Sequence, residues 1–268
     1  DVIANIGKTE NKGLELTLNT VNVSTKAFKW HSTVVFSTNK SEIVELYGDG
    51  KDDIGSGWFL GQPIGVIRDF VKVGIWQEEE IANKEHLTLD PIAKAGDVKL
   101  ADLSGADGIP DGKIDDFDRK ILGQTAPKWT GGLTNTFTWK NLSLNIFIQT
   151  NQGAMRTNTH IGMASDELER RNSLAEIGYW TPDNKSNEWR SLNKNSNPHG
   201  YRFPVDINYT RIKDVTLSYD VPGTLIKKAG ISALGVYLSG RNLYTFTDWI
   251  GWDPEERDDA RGTGNWDI

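Results

Sequence analysis

Strict alternation of apolar and polar residues is the feature that most limits what this chain can fold into. In GLELTLNT, Leu14, Leu16 and Leu18 fall on one side of an extended strand, and Glu15, Thr17 and Asn19 on the other. Successive side chains of a strand point to opposite faces, so this period of two reads as a strand with two unlike faces. Phe28, Trp30, Val34 and Phe36 repeat the pattern, with Ser32 as the exception and Lys29, His31 and Thr33 opposite. GGLTNTFTWKNLSLNIFIQTNQG reads as a hairpin turning at Lys140–Asn141. Leu133, Phe137 and Trp139 alternate with Thr134, Thr136 and Thr138. Leu142, Leu144, Ile146 and Ile148 then alternate with Ser143, Asn145 and Gln149. Val215, Leu217 and Tyr219 alternate with Thr216 and Ser218, and a last strand covers Leu234–Leu243. The fold class is all-β and antiparallel.

Two architectures produce such strands. A soluble sandwich turns the apolar face inward onto a second sheet. A membrane barrel turns it outward to lipid and lines its lumen with the polar face. The alternation alone does not choose between them. No run approaches the roughly 18 apolar residues of a membrane helix, which leaves a barrel untouched. Connections count toward the barrel: long polar stretches separate the strand near Val66–Ile75 from Gly131, and Gln149 from Asn208. The second includes a helix begun by Ser165. Compact soluble domains rarely carry two such loops, whereas outer-membrane barrels do.

Composition closes other routes. A net charge of −7 supplies no basic face for nucleic acid. The absence of cysteine excludes disulfide and thiol chemistry. The four histidines show no metal-ligand spacing, Ser104, Ser165 and Ser239 lack a nucleophile-elbow context, and no catalytic constellation emerges. The chain begins without a signal peptide and ends abruptly, as a segment of something longer would.

Five stretches, in order, carry a family resemblance. They are GQPIGVIRDFVKVGIWQEEE (Gly61–Glu80), the segment Gly96–Phe147 with its DGKIDDFDRKILG core, YWTPDN (Tyr179–Asn184), YTRIKDVTLSYDVP (Tyr209–Pro222) and VYLSGRNLYTFTDWIGWDPE (Val236–Glu255). Together they resemble the SusC/RagA-type TonB-dependent outer-membrane transporters over nearly the whole chain. The resemblance implies that residues 1–268 are the C-terminal part of a 22-stranded plugged barrel, with the plug and the final strand outside the chain. It implies active import of an oligosaccharide or peptide across the outer membrane of a Gram-negative cell, with no enzyme activity. The implied partners are a SusD-like surface lipoprotein, the TonB energy-coupling complex reached through the missing N-terminal part, membrane lipid and the glycan or peptide substrate. A barrel left open exposes unpaired edges, so the strand near Gly13–Thr20 and that near Leu234–Leu243 are expected to pair with strands outside the chain. The alternative from the residues alone is a secreted calcium-binding β-sandwich carbohydrate-binding module, and a glycoside hydrolase is a third.

The candidate metal site is DLSGADGIPDGKIDDFD, Asp102 to Asp118. Calcium takes six to eight oxygens around a sharp glycine turn, with an apolar anchor beyond it. Asp107, Asp111, Gly112, Ile114, Asp115 and Asp118 meet that spacing, while Ile109 departs from it; in the family's alignment Asp102 and Ser104 take the first places. A Ca2+ ligated by Asp111, Asp115 and Asp118, completed by Asp102 or Asp107, stands against a hydrated turn held by Asp–backbone bonds. Carboxylates this dense are too mutually repulsive for paired glycosidase chemistry. Of the ten tryptophans, Trp139 beside a turn fits an interface girdle. Trp180, Trp189, Trp249 and Trp252 lie in polar, loop-like sequence and are the candidates to face a substrate or partner.

Overall fold

A computed structural model describes residues 7–157, 177–192, 195–251 and 253–255. The helix expected after Ser165, and Trp252, lie outside these described residues. In chain order the strands are β1 (Gly7–Ser24), β2 (Phe28–Leu46), β3 (Val66–Asp69), β4 (Lys72–Ile75), β5 (Val98–Leu100), β6 (Lys120–Gln124), β7 (Trp129–Trp139), β8 (Leu142–Gln152), β9 (Met155–Thr157), β10 (Pro204–Asp206), β11 (Tyr209–Asp220) and β12 (Gly235–Phe246). Short helices are α1 (Glu78–Ala82), α2 (His86–Leu89) and α3 (Gly223–Ile226). The chain divides into two compact units, residues 1–65, 124–155 and 206–268 in the first, and 66–123 and 156–205 in the second.

The first unit is a six-stranded sheet in the order β1-β2-β7-β8-β11-β12. Every neighbouring pair is antiparallel. Register joins the apolar positions of all strands on one face. Phe137 lies opposite Leu144, Leu144 opposite Leu217, and Leu217 opposite Leu238. Leu18, Val34, Leu133, Ile148, Ile212 and Tyr244 form a second row across the sheet. Thr136, Asn145, Thr216 and Ser239 run across the other face. A one-residue slip would mix these rows, so the alternation fixes the register.

The apolar face is not a buried core. Leu16 is 53% exposed, Leu217 41% and Leu238 75%. A sandwich would have buried these leucines against a second sheet, and the structure corrects that alternative. The polar face is knitted by side-chain bonds: Thr33 donates to Asn19 at 2.8 Å and Asn145 to Thr136 at 2.9 Å. Ser32, the exception on the apolar side, has a physical reason. Its hydroxyl donates to Asn135 Oδ1 at 2.6 Å and accepts from Asn22 at 2.6 Å, while Trp30 Nε1 also donates to Asn135. These side chains form a small, internally bonded polar island.

β1 is longer than its apolar core. Lys12 and Glu10 pair with Lys40 and Glu42 across the strands, with ion pairs Lys12–Glu10 and Lys40–Glu42 along them. This end is a solvated continuation of the ladder, which hydrophobic periodicity does not mark.

The second unit is built differently. β4 and β5 pair antiparallel, and β3 pairs with β6. Phe70, Ile75, Val98, Leu100, Trp180, Tyr201 and Phe203 form a buried core. The stretch Val66–Ile75 is two strands rather than one. At the break, Asp69 is fully buried and its Oδ1 accepts from Phe70 N at 2.9 Å, while Oδ2 accepts from Arg202 N at 2.9 Å. Arg119 Nη1 donates to Asp69 Oδ1 at 3.2 Å and its guanidinium stacks over Phe70, 4.1 Å from the ring centre. A buried charge of this kind is tolerated because it is paired and hydrogen-bonded.

Candidate functional site

The polar face of the first unit is the surface a lumen would present. It is lined largely by threonine, serine, asparagine and glutamine and is interrupted at Gly131–Gly132 in β7. A Cβ on Gly132 would come 2.8 Å from Val35 Cγ2 and 3.1 Å from Phe147 Cε2. Phe147, an aromatic where the alternation calls for a polar residue, folds over the missing side chain. A depression of about 420 Å³ opens here, lined among others by Glu15, Thr17, Ser37, Phe147 and Gln149. An aromatic platform beside a carboxylate and an amide suits contact with a polar, neutral solute. Sequence reading missed this depression. The signal was present in the paired glycines and in Phe147 breaking the polar row.

At the far end of the same face, Arg211 on β11 is 2% exposed. Its guanidinium donates to Glu255 at 2.7 Å, to Thr245 at 2.8 Å and, by a short bond, to Asp253. Lys213 donates to Glu255 at 2.6 Å. These bonds hold the DPE segment after β12 against the sheet. Burial, the largest single influence, raises the Asp253 carboxyl, but the Arg211 bond, the Glu255 amide and the charges of Arg211 and Lys213 together outweigh it and hold the group below the usual carboxylate range.

The acidic loop of the second unit spends its carboxylates on backbone amides. Asp118, fully buried, accepts from Leu103 N at 2.7 Å and Ser104 N at 3.1 Å with one oxygen, and from Asp115 N at 2.8 Å with the other. Asp102 accepts from Gly112 N at 2.7 Å, Asp107 from Ile109 N at 3.0 Å, Asp111 from Lys113 N at 3.0 Å and Asp115 from Phe117 N at 2.8 Å. Gly112 sits at φ +82°, a conformation that favours glycine and permits the turn. Asp102 Oδ1 is buried without a hydrogen-bond partner. Among the described residues no group of three or more histidine or carboxylate side chains is arranged to hold a metal ion. As arranged, these carboxylates form an Asx-turn scaffold.

The four candidate tryptophans separate. Trp180 is a core residue, 7% exposed, its Nε1 donating to Gln77 at 2.9 Å and its ring packed on Gly96. Trp189 is half-buried against the same core, with Lys72 Nζ 5.9 Å from its ring. Trp180 presents no free indole, which corrects its reading as partner-facing, while Trp189 keeps part of its surface open. The polar neighbours of Trp180 suggest an open position, but its indole is part of the second unit's core. Trp249 is half-buried over Gly251. Trp252 is outside the described residues.

Burial shapes a further carboxylate in this unit. Asp97 is 5% exposed and accepts from Lys94 N at 2.8 Å. Desolvation, aided by the nearby Asp90, pushes it up to about 6. His199 Nε2 lies 3.0 Å from Asp90 Oδ2, but without the alignment of a hydrogen bond.

No protein-family model matches the chain. Two TonB-dependent receptors of Formosa agariphila do. One is 32% identical over 99% of this chain and 27% of its own length. The other is 31% identical over 98% of this chain and 27% of its own. The chain therefore spans about a quarter of the length of these curated relatives. Among solved structures, the RagAB peptide transporter superposes with a TM-score of 0.69 at 22% identity, over 93% of this chain and 27% of that one. The RagAB peptide importer in its closed-closed state gives 0.70 at 25% identity, over 93% and 27%. These relatives are receptors and transporters, not enzymes. Family motifs, similarity along nearly all of this chain and the one-sided antiparallel sheet agree: this chain is similar to TonB-dependent receptors of the SusC/RagA type, of which it spans about a quarter.

Proposed function

We propose that this chain forms C-terminal wall strands of a 22-stranded outer-membrane barrel that imports a nutrient by TonB-driven active transport. The observation that carries the reading is an apolar face shared by six antiparallel strands and exposed at Leu14, Leu16, Leu18, Leu217 and Leu238. Aromatics bound that face at both ends. Trp30 stacks on Phe137 near the β7–β8 turn, beside Trp139, and Phe36 lies against Trp129 at the opposite end. Trp129 to Trp139 spans about 33 Å along the strand. Tilted as barrel strands are, that is an apolar band of about 25 Å between two girdles. In this reading the polar face with Phe147, Glu15 and Gln149 looks into the lumen, and β1 and β12 pair with strands elsewhere in the barrel. The tight turns Thr25–Ala27 and Lys140–Asn141 mark the periplasmic end.

The substrate class is an oligosaccharide or a peptide, and a solved relative is named a peptide transporter. A SusD-like lipoprotein is the proposed lid, as a surface receptor for solutes too large for passive pores requires capture before entry. The test uses single cysteines in the parent protein in lipid, one at Leu144 and one at Asn145. The expected result is lipid-restricted labelling at Leu144 and aqueous labelling at Asn145. Equal labelling of both, or the reverse pattern, sinks the barrel.

A further inference from the structure

The connection between β11 and β12 is the odd one among the three turns at the short-turn end. The other two are tight: Thr25–Ala27, with Thr25 N donating to Phe28 O, and Lys140–Asn141. Val221–Leu234 instead prolongs the ladder by one pair, Val221 N to Leu234 O at 2.9 Å. It then folds into α3 and a 3-10 turn over Lys227–Ala229, closed by Gly230 at φ +72°. Ile226 is buried inside this knob, while Leu225 points out at 69% exposure. Ile231 and Leu234 are 41% and 43% exposed beside it.

Charge is segregated at this end. The chain as a whole carries −7, yet the three turns hold Lys26, Lys140, Lys227 and Lys228 and no acidic residue. All four lysines are exposed, and Asp220 at the end of β11 is the nearest carboxylate to the knob along the chain. Among the described residues, no ion pair involves any of the four. Lys140 Nζ lies 5.3 Å from the ring centre of Trp139, itself 56% exposed on the apolar face. One cation is thus already placed over a girdle aromatic, where a snorkelling lysine meets headgroups.

We propose that the Val221–Leu234 knob, with the lysines of the neighbouring turns, is an anchor for the anionic phospholipid surface next to the barrel. Leu225 enters the interfacial region and Lys227 and Lys228 hold lipid phosphates. This rests on the barrel reading, whose lipid face the knob continues through Val221 and Leu234. An exposed leucine flanked by two exposed lysines is the composition of an interfacial insertion, in which apolar burial and headgroup attraction act together.

The parent protein is reconstituted in vesicles of phosphatidylethanolamine and phosphatidylglycerol, with a nitrobenzoxadiazole dye on Leu225→Cys and, separately, on Leu217→Cys. Lipids bearing a nitroxide near the headgroup or deeper in the chain serve as quenchers, and iodide reports water. The anchor predicts shallow-lipid quenching at position 225. Adding Lys227→Glu and Lys228→Glu should reduce lipid association of the knob about fivefold per charge removed. Position 217 should be quenched from the deeper lipid. Iodide quenching alone at 225, or protection from every quencher, overturns the anchor by assigning the knob to water or to protein. Lipid quenching unchanged by the lysine reversals overturns the phosphate contact. Failure at Leu217→Cys as well overturns the barrel reading itself, so the two failures are distinct.

Discussion

The two compact units solve burial in opposite ways. In the sheet, Leu16 and Leu217 stay outside and Arg211 is hidden. In the insertion-built unit, Phe70, Ile75 and Val98 are hidden to 2% or less, and buried Asp69 and Asp97 are held by backbone amides. On the barrel reading the difference is one of solvent: a surface that meets hydrocarbon needs no core behind it, whereas a unit that folds in water must build one.

The largest effect that sharpens the contrast lies in the second unit's core. Phe70→Ala removes a 2%-exposed ring and the stacking surface of Arg119. The expected loss is about 3–5 kcal/mol of local stability, read by hydrogen exchange across β3–β6 in the parent protein. If its face meets lipid as proposed, Leu16→Ala in the sheet should cost less than about 1 kcal/mol, because hydrocarbon solvates that face either way. Comparable losses at both positions would erase the contrast.

Charge separates the two faces of a single strand next. Leu144→Arg should cost about 2–4 kcal/mol in a bilayer, measured as the fraction folded in a denaturant titration into vesicles. Asn145→Arg, one residue away on the polar face, should be nearly neutral. Equal penalties would mean that both faces meet the same medium.

A pH effect of smaller size belongs to Asp97. Its folded value of about 6 lies above the ordinary carboxylate value. Between the two, the folded state holds more protons, so the stability contributed by the neutral acid is full at low pH and is lost as pH rises through about 6. Asp97→Asn should raise the melting temperature of the second unit at pH 8 and lose this advantage near pH 4, with Lys94 N still bonded. A gain that is independent of pH would remove the titration from the account.

How much was legible in the sequence follows the same division. The strands' two faces and the turn at Lys140–Asn141 were readable, because a period of two survives wherever one face is mostly apolar, whereas the order and register of the sheet were not. The ends of β1 were not, since Lys12 and Glu10 extend the ladder without hydrophobic marking. In the second unit the family motifs located the segment, but the roles of Trp180 and Asp69 depend on contacts far apart in sequence. Trp180 meets Gln77, and Asp69 meets Arg119 and Arg202. No local spacing encodes such pairings, and a polar neighbourhood disguised a core tryptophan as a rim residue. The acidic loop was legible as either a turn or a cation loop, and its chemistry depends on which atoms its carboxylates face.

That loop supplies the smallest expected effect. Asp111 accepts one bond, from the amide of Lys113 next but one along the chain, at an exposed position. Asp111→Ala should cost about 0.5–1 kcal/mol, the net worth of one such bond. Asp118→Ala should cost more, since it strips acceptors from Leu103, Ser104 and Asp115 at once and leaves their amides unmet. If the loop is held by these bonds alone, millimolar calcium leaves its protease resistance unchanged in the wild type and in both variants. A cation cage behaves otherwise. Binding only to the folded loop would raise protection with calcium concentration, as linkage requires, and Asp111→Ala or Asp115→Ala would abolish that rise. Asp102 Oδ1, buried and without a partner, is the atom such a cation would have to reach, so Asp102→Asn is the discriminating variant. It retains an oxygen to accept from Gly112 N while removing the charge. Protection that survives this change in calcium and in chelator alike identifies a turn held by its own backbone. Protection lost only in the calcium arm identifies a cation site.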